Sequence, residues 1–199
     1  MKREARIRPA GFYKVLGPEG LAALVAPQKT REDVALARKL CRGVREVLDL
    51  ACGYGRIALP LASCGFHVEG LDLDAALVRR ARREAKGLPL GYRVGDMRRL
   101  PYGNGSFDRV LCMWSGFQHM LTRADQRRCL REAVRVLRPG GRAYFEMTDG
   151  GTAAIEVRLR REGRGPGRRL AEWDLRGASI RCFLHNRATL AALLPLPGA

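Results

Sequence analysis

Short apolar runs alternate with amphipathic stretches through the middle of this chain. Five apolar runs have strand length and predict strands at 47–50, 68–72, 92–94, 107–113 and 142–147. Around them, apolar residues at helical spacing predict helices at 30–41, 56–64, 75–86 and 125–137, with Thr30 and Asp74 as N-caps and Gly65 as a stop. Strands separated by helices predict a mostly parallel sheet with helices on both faces, a three-layer α/β/α fold.

The two ends of the chain depart from this alternation. Residues 1–30 are predicted to form an N-terminal extension or lid containing a short helix at 19–25, and residues 31–150 the core. Residues 151–199 are predicted to form a substrate cover, with antiparallel strands at 170–175 and 178–184 and a helix at 187–194. No further apolar strand follows, so we expect C-terminal strands of the sheet to be missing. An edge left open in this way favours a homodimer.

The most informative run follows the first predicted strand. The strand reaches Asp49, passes through Gly53 and Gly55, and enters an apolar helix. Glycines without Cβ atoms let a ligand approach the backbone closely, and a helix start offers free N–H groups. The run lacks the third glycine of the dinucleotide fingerprint and the lysine of a Walker loop. An acid at position 49 is unfavourable beside a pyrophosphate but suits an ammonium group.

Four segments together resemble the class I S-adenosylmethionine-dependent methyltransferases. They are VLDLACGYGRIALPLA (47–62), VEGLDLDAALVRRAR (68–82), VGDMRRLPYGNGSFDRVLC (94–112) and EAVRVLRPGGRAYFEM (132–147). They cover about half of the chain, in the order and spacing of that family. The resemblance implies a Rossmann-like fold, S-adenosylmethionine as the cofactor and methyl transfer as the reaction.

The resemblance also implies which residues line the methionine half of the cofactor. They are Asp49, Ala51, Cys52, Gly53 and Gly55. Asp49 would face the ammonium group of the cofactor, directly or through water. Ala51 stands where the family prefers glycine, a mild departure that should leave cofactor binding intact.

A second set of residues is expected at the nucleoside half. Asp72 suits a bidentate hydrogen bond to the two ribose hydroxyls, and Leu73 would flank the adenine. Asp96 would accept from the adenine amino group while the Met97 amide donates to the ring. Trp114 is also expected to bind the cofactor. Taken alone, Asp72 and Asp96 are more typical of solvated turns, but their spacing within the four segments favours the cofactor role.

The segment at 112–120 is expected to approach the transferring methyl group. It has neither the Asn/Asp-Pro-Pro-aromatic motif nor the Pro-Cys motif of nucleic-acid base methyltransferases, so it favours a small-molecule acceptor methylated at nitrogen or oxygen. His119 is the candidate general base, or else a packing histidine. Phe117 and Trp114 would stack on the acceptor or fill core. Tyr13 is predicted either to close over the site or simply to pack.

Two alternative functions stay open, the first of them because of charge. The net charge is +17, and 32 of the 37 basic residues are arginine, spread over nearly the whole chain. This charge suits nucleic acid, and hence an RNA methyltransferase, but codon bias in a GC-rich genome would produce it equally well. The second alternative is a relative that binds the cofactor without turnover.

The remaining sequence features favour a cytoplasmic location. The six cysteines include no CxxC pair, and the three histidines offer no metal-ligand spacing, so we expect reduced thiols and no metal site. No apolar run reaches membrane-spanning length, and no secretion signal follows the first residues. We therefore expect no membrane partner.

Overall fold

The computed structural model describes residues 9–147 and the strands at 158–160, 169–175 and 178–184. Its helices are α1 (Pro9–Leu24), α2 (Pro27–Leu40), α3 (Ala58–Ser63), α4 (Ala75–Glu84), a 3-10 helix (Gly116–His119) and α5 (Arg123–Val136). Its strands are β1 (Glu46–Leu50), β2 (His67–Asp72), β3 (Leu90–Val94), β4 (Phe107–Cys112), β5 (Leu137–Phe145), β6 (Arg158–Arg160), β7 (Arg169–Leu175) and β8 (Ala178–Leu184).

The first five strands form one parallel sheet. Its order is β3-β2-β1-β4-β5, and the central strand β1 pairs Asp49 with Gly70 of β2 and with Leu111 of β4. All strands therefore end at the same edge, where ligands bind in open α/β sheets. The predicted three-layer α/β fold is confirmed.

Alternate residues of β1 supply two separate apolar cores. Val47 packs with residues of α2, α3 and α4 on one face of the sheet. Leu48 and Leu50 pack with residues of α5 on the other face. A strand covered on both sides in this way is apolar at nearly every position, which explains the continuous run Val47–Leu50 apart from Asp49.

Of the two predicted N-caps, the structure confirms one and contradicts the other. The Asp74 carboxylate accepts from the N–H groups of Ala76 at 2.7 Å and Leu77 at 3.3 Å, which confirms it as the N-cap of α4. The prediction for Thr30 is wrong, because α2 already begins at Pro27 with the proline in its first turn. Proline suits that position since its φ is fixed near the helical value and its missing N–H is not needed there.

The fifth strand is longer than predicted. It starts at Leu137, which pairs with Phe107, and the pairing becomes regular again at Arg142 and Arg109 after an irregularity. The segment 139–141 therefore lies inside an interrupted strand instead of only ending the preceding helix. A proline is tolerated here because β5 is an edge strand in the sheet that the structure describes.

The N-terminal extension contains one kinked helix. The predicted helix at 19–25 is the second part of α1, and Gly17, with φ 63° and ψ 177°, separates it from the first part. Leu21 is buried, and the Arg80 guanidinium of α4 donates to the Pro18 carbonyl at 2.8 Å. These contacts attach α1 to the side of the sheet that carries α4.

The predicted C-terminal hairpin is also present. Strands β7 and β8 are antiparallel, with Glu172 opposite Arg181, and β6 pairs with β7. The backbone of β8 lies beside α1 and the 3-10 helix. The predicted helix at 187–194 lies outside the described residues. Among the helices that the structure describes, none combines the length and apolar character of a membrane span.

Candidate functional site

Four predicted segments meet at the carboxyl edge of the sheet. They follow β1, β2, β3 and β4, which occupy four neighbouring positions in the strand order. Backbone hydrogen bonds join the segments to one another: Cys52 N–H donates to the Leu71 carbonyl at 3.2 Å, and Gly95 N–H donates to the Asp72 carbonyl at 2.9 Å. The sheet topology therefore brings the sequence-predicted cofactor residues to one place.

The loop after β1 is a tight turn with an open surface. Among the described residues other than its two chain neighbours, a Cβ atom at Gly53 would meet a single atom within 4 Å, the Leu21 Cδ2 atom at 4.0 Å, so this part of the structure leaves the loop backbone accessible to a ligand. Gly55, in contrast, has φ 90°, and a Cβ atom would lie 2.2 Å from the Tyr92 hydroxyl. Its requirement for glycine is therefore steric and conformational.

Asp49 is the most unusual group of the site. It is 2% exposed, and its Oδ2 atom has no hydrogen-bond partner among the described residues. Burial raises the pKa of the Asp49 carboxyl to about 7, Arg56 opposes that rise, Asp72 adds to it, and an N–H bond from Ala58 opposes it. A buried carboxylate with an unused acceptor is strongly favourable for a cation.

Asp72 connects β2 to the glycine loop. Its Oδ2 atom accepts from the Gly53 N–H at 2.8 Å, and its Oδ1 atom accepts from the Asp74 N–H at 2.8 Å. Burial raises the pKa of this carboxyl, and the two N–H bonds oppose that rise. Each carboxylate oxygen retains acceptor capacity for a further donor. Next to it, Leu73 is 63% exposed.

Asp96 has a partner that the sequence did not indicate. The Arg98 Nε atom donates to both of its carboxylate oxygens, at 3.0 and 2.9 Å, and Arg98 also forms an ion pair with Asp125 at 3.1 Å. The hydrogen bond from Arg98 lowers the pKa of Asp96. An adenine amino group at this position would share Asp96 with Arg98. Met97 packs against the core on the α5 side.

The segment after β4 is held in an uncommon backbone conformation. Trp114 and Ser115 have φ of 53° and 60°, in the left-handed region that non-glycine residues seldom adopt. The Trp114 N–H donates to the Glu146 carboxylate at 2.7 Å, and the Arg56 guanidinium lies 5.6 Å from the centre of the Trp114 ring. Contacts from the residue that follows β5 and from the glycine loop therefore fix this turn.

A buried ion pair supports Arg56 from the N-terminal side. Arg56 contacts the Asp33 carboxylate of α2 at 2.7 Å, and the two side chains are 7% and 3% exposed. Lys29 bridges Asp33 to Glu146, which it contacts at 3.2 Å. The sequence did not indicate this network, because apart from the pair Lys29–Asp33 within α2 its members come from distant parts of the chain, the glycine loop and the residue after β5.

His119 and Tyr13 meet although they are far apart in sequence. The Tyr13 hydroxyl lies 2.7 Å from His119 Nε2, and the two rings are edge to face. Phe117 does not line this surface. It is 1% exposed and packs on Phe145 with ring centres 5.0 Å apart, so its predicted substrate contact is replaced by a core role.

Comparison with known proteins identifies the domain. Residues 47–141 match the model of the family described as "Methyltransferase domain". The chain is 43% identical over 103 residues to the uncharacterized protein Rv1403c of Mycobacterium tuberculosis, which covers 51% of this chain and 36% of that protein. It is 40% identical over 112 residues to demethylmenaquinone methyltransferase of Deinococcus radiodurans, covering 54% and 45%.

A solved structure extends the similarity beyond the matched segment. The PH0226 protein from Pyrococcus horikoshii is 25% identical with a TM-score of 0.67, over 83% of this chain and 80% of that one. The matched segment spans less than half the length of the two curated relatives. Residues 47–141 therefore carry a methyltransferase domain, and the similarities are consistent with the class I S-adenosylmethionine-dependent methyltransferases.

Proposed function

We propose that this chain is a methyltransferase that transfers a methyl group from S-adenosylmethionine to a nitrogen or oxygen atom of a small molecule. The observation that carries the proposal is the unpartnered Oδ2 atom of the buried Asp49. A buried acceptor of this kind is expensive unless a ligand donor satisfies it. The open backbone at Gly53 lies beside it along the same loop.

The residues at the carboxyl edge of the sheet fit both the methionine half and the nucleoside half of the cofactor. Asp49 would hold the ammonium group, beside the backbone of Ala51, Cys52, Gly53 and Gly55. Asp72 would accept from the ribose hydroxyls, with Leu73, Asp96 and Met97 around the adenosine. Trp114, in the segment after β4, would contact the cofactor from the side of the acceptor. When bound, the cofactor supplies an electrophilic methyl group on a sulfonium. The protein's task is then to position the acceptor and receive its proton.

His119 and Tyr13 are proposed to receive that proton. If the acceptor is a hydroxyl, its proton passes to Tyr13 Oη while the Tyr13 proton passes to His119 Nε2, 2.7 Å away. An amine that binds in its neutral form can lose its proton after transfer and depends less on the pair. The neighbourhood of β8, α1 and the 3-10 helix supports a role for residues 151–199 as a substrate cover.

The small-molecule acceptor is favoured by one relative and by the segment after β4. The Deinococcus relative is named for methylating demethylmenaquinone, a small molecule. The segment 112–120 contains aromatic rings but neither of the nucleic-acid base motifs. We also propose that the protein is cytoplasmic. We further propose that residues 1–30 form an N-terminal extension or lid, residues 31–150 the cofactor-binding core and residues 151–199 a substrate cover.

The first test is calorimetric titration with S-adenosylmethionine and with S-adenosylhomocysteine. We expect both to bind the parent chain, and Asp72→Ala to weaken binding about 100-fold or more, because a ligand hydroxyl loses a charged acceptor. Glu32→Ala removes an exposed carboxylate of α2 and is the matched control, with unchanged affinity expected. Absence of binding by the folded parent chain would refute the proposal.

A second test separates methyl transfer from cofactor binding alone. The parent chain is incubated with labelled methyl donor and fractions containing metabolites or RNA. Label in a small-molecule fraction supports the proposal, whereas label in RNA supports the RNA methyltransferase. Cofactor binding without transfer to any fraction would favour the relative that lacks turnover.

A further inference from the structure

A basic groove lies at the edge of the sheet opposite the candidate site. Its volume is about 420 Å³, and its lining comprises Ala35, Arg38, Lys39, Arg42, Gly43, Cys64 and Phe66. These residues belong to the end of α2, the end of α3 and the short links that lead into β1 and β2. The groove therefore sits at the amino ends of the parallel strands.

The three cations of the groove have no counter-charge in the described part of the chain. Arg38, Lys39 and Arg42 form no ion pair there, and the lining contains no carboxylate. Elsewhere many arginines are neutralised by close acids, for example Arg80 by Glu84 at 2.9 Å and Arg135 by Glu132 at 2.7 Å. Unpaired like charges concentrated on one surface attract anions.

Helix electrostatics account for only part of this arrangement. Arg38 and Lys39 lie in the last turn of α2, where the partial negative charge of the helix end stabilises a cation by roughly 0.3–1 kcal/mol. That effect does not call for a third cation at Arg42, beyond the helix. It also gives no reason for an aromatic ring beside them.

Phe66 supplies that ring. It is half-buried, packs against the apolar core beneath it, and shares the groove with the three cations. A basic groove that follows the phosphates, combined with an aromatic side chain on which a base stacks, is how proteins hold single-stranded nucleic acid without reading its sequence. A membrane surface or an acidic peptide would use the charges but not a single ring in a groove.

We propose that the groove between α2 and α3 binds a segment of single-stranded nucleic acid. Its phosphates contact Arg38, Lys39 and Arg42, and one base stacks on Phe66. Because the groove lies at the opposite end of the strands from Asp49 and Asp72, the nucleic acid is a docking partner and not the methyl acceptor. The proposal is independent of the proposed methyl transfer.

Binding of a fluorescent uridine oligonucleotide of roughly 16 nucleotides tests the proposal, followed by anisotropy over a series of salt concentrations. The Arg38→Ala/Arg42→Ala variant should bind more weakly and lower the magnitude of the salt slope by about 1.4, since each phosphate contact to a single strand contributes about 0.7. The matched control is Arg79→Ala/Arg83→Ala, which removes the same charge from two exposed arginines of α4 that form no ion pair with the described residues. Equal losses in the two double variants would show binding to net charge alone and overturn the proposal.

The contribution of stacking is tested from both sides of the contact. Phe66→Leu should weaken binding roughly 5- to 150-fold, which corresponds to about 1–3 kcal/mol for one stacked base. Thermal melting shows whether this variant folds. The same test can be made on the parent chain with an abasic oligonucleotide that has the same number of phosphates. This oligonucleotide should bind more weakly than the uridine oligonucleotide, by a factor similar to that of Phe66→Leu. Equal affinity for the abasic strand, for a duplex of the same length or for free inorganic phosphate would overturn the assignment.

Discussion

The candidate site at the carboxyl edge of the sheet has two halves that are built in different ways. In the cofactor half, which comprises 49–56, 72–74 and 95–97, short turns after the strands bind one another through backbone groups, as when the Gly95 N–H donates to the Asp72 carbonyl. In the acceptor half, which comprises 114–119 and Tyr13, the key contacts join side chains that are distant in sequence. Tyr13 and His119 are 106 positions apart. The cofactor half can therefore be recognised from local sequence motifs, whereas the acceptor half is assembled from distant residues by the fold.

The largest expected effect breaks the cofactor half at Asp49. Asp49→Asn removes the buried carboxylate, and an amide cannot neutralise an ammonium group. We expect affinity for S-adenosylmethionine to fall about 100-fold or more at pH 8, measured by calorimetry, because a buried charge pair that loses one partner costs about 3–5 kcal/mol. The free variant should melt at a higher temperature than the parent, since it no longer buries an ionised carboxyl whose pKa is raised to about 7. A variant that binds normally would contradict the assignment.

The same carboxyl should make cofactor binding depend on pH. With its pKa raised to about 7, Asp49 holds a proton in the free protein at lower pH and must release it to pair with an ammonium group. Affinity should therefore decrease from about pH 8 to pH 6. Over the same interval this group should make the free parent more stable, since the folded state binds more protons than the unfolded chain. Titrations of the parent and Asp49→Asn across this range provide the measurement, and the variant should lose this part of the dependence.

The next effect tests the contact between the two halves. A Cβ atom at Gly116 would lie 2.7 Å from the Ala51 Cβ atom, so Gly116→Ala should reduce the free energy of unfolding by about 1–3 kcal/mol. Ala51→Gly in the same chain removes the clash and also relieves a non-glycine φ of 54°. Urea unfolding of the two single variants and the double variant measures the coupling. If the changes in the free energy of unfolding of the two single variants add up to that of the double variant, the two halves are not in steric contact at these positions.

The smallest effect on function should come from Tyr13→Phe. It removes the hydroxyl that lies 2.7 Å from His119 Nε2, and we expect kcat to fall roughly tenfold with an oxygen acceptor. Affinity for S-adenosylmethionine should change less than about twofold, because the change lies outside the cofactor half. Tyr92→Phe is the matched control, since the Tyr92 hydroxyl is buried without a partner among the described residues. Equal losses of turnover in both variants would contradict a specific role for Tyr13.

Local signals explain which parts of the fold could be predicted. The cap at Asp74 and the alternation of strands and helices depend on neighbouring residues, and the structure confirms them. The prediction for Thr30 is wrong because two start signals compete, and the proline at position 27 starts the helix earlier. The extent of β5 depends on its pairing with β4, which no pattern within residues 137–145 reveals.

The site divides along the same line. Asp49, Asp72 and Asp96 could be placed at the carboxyl edge of the sheet from the sequence, because the carboxyl ends of all parallel strands lie at that edge. The hydrogen bonds from Arg98 to Asp96 and the ion pair of Arg56 with Asp33 could not be foreseen, and the sequence left open whether Phe117 contacts the acceptor or fills the core. Each of these depends on side-chain conformation or on an element distant in sequence, and neither is encoded in spacing.

The exposure of Leu73 has a consequence for the heat capacity of binding. This side chain is 63% exposed at the end of β2, next to the carboxylate proposed to hold the ribose. A purine ring that covers it removes apolar surface from water, and such burial makes the heat capacity change of binding negative. The enthalpy of cofactor binding should therefore become more favourable as the temperature rises. Leu73→Ser should flatten that temperature dependence.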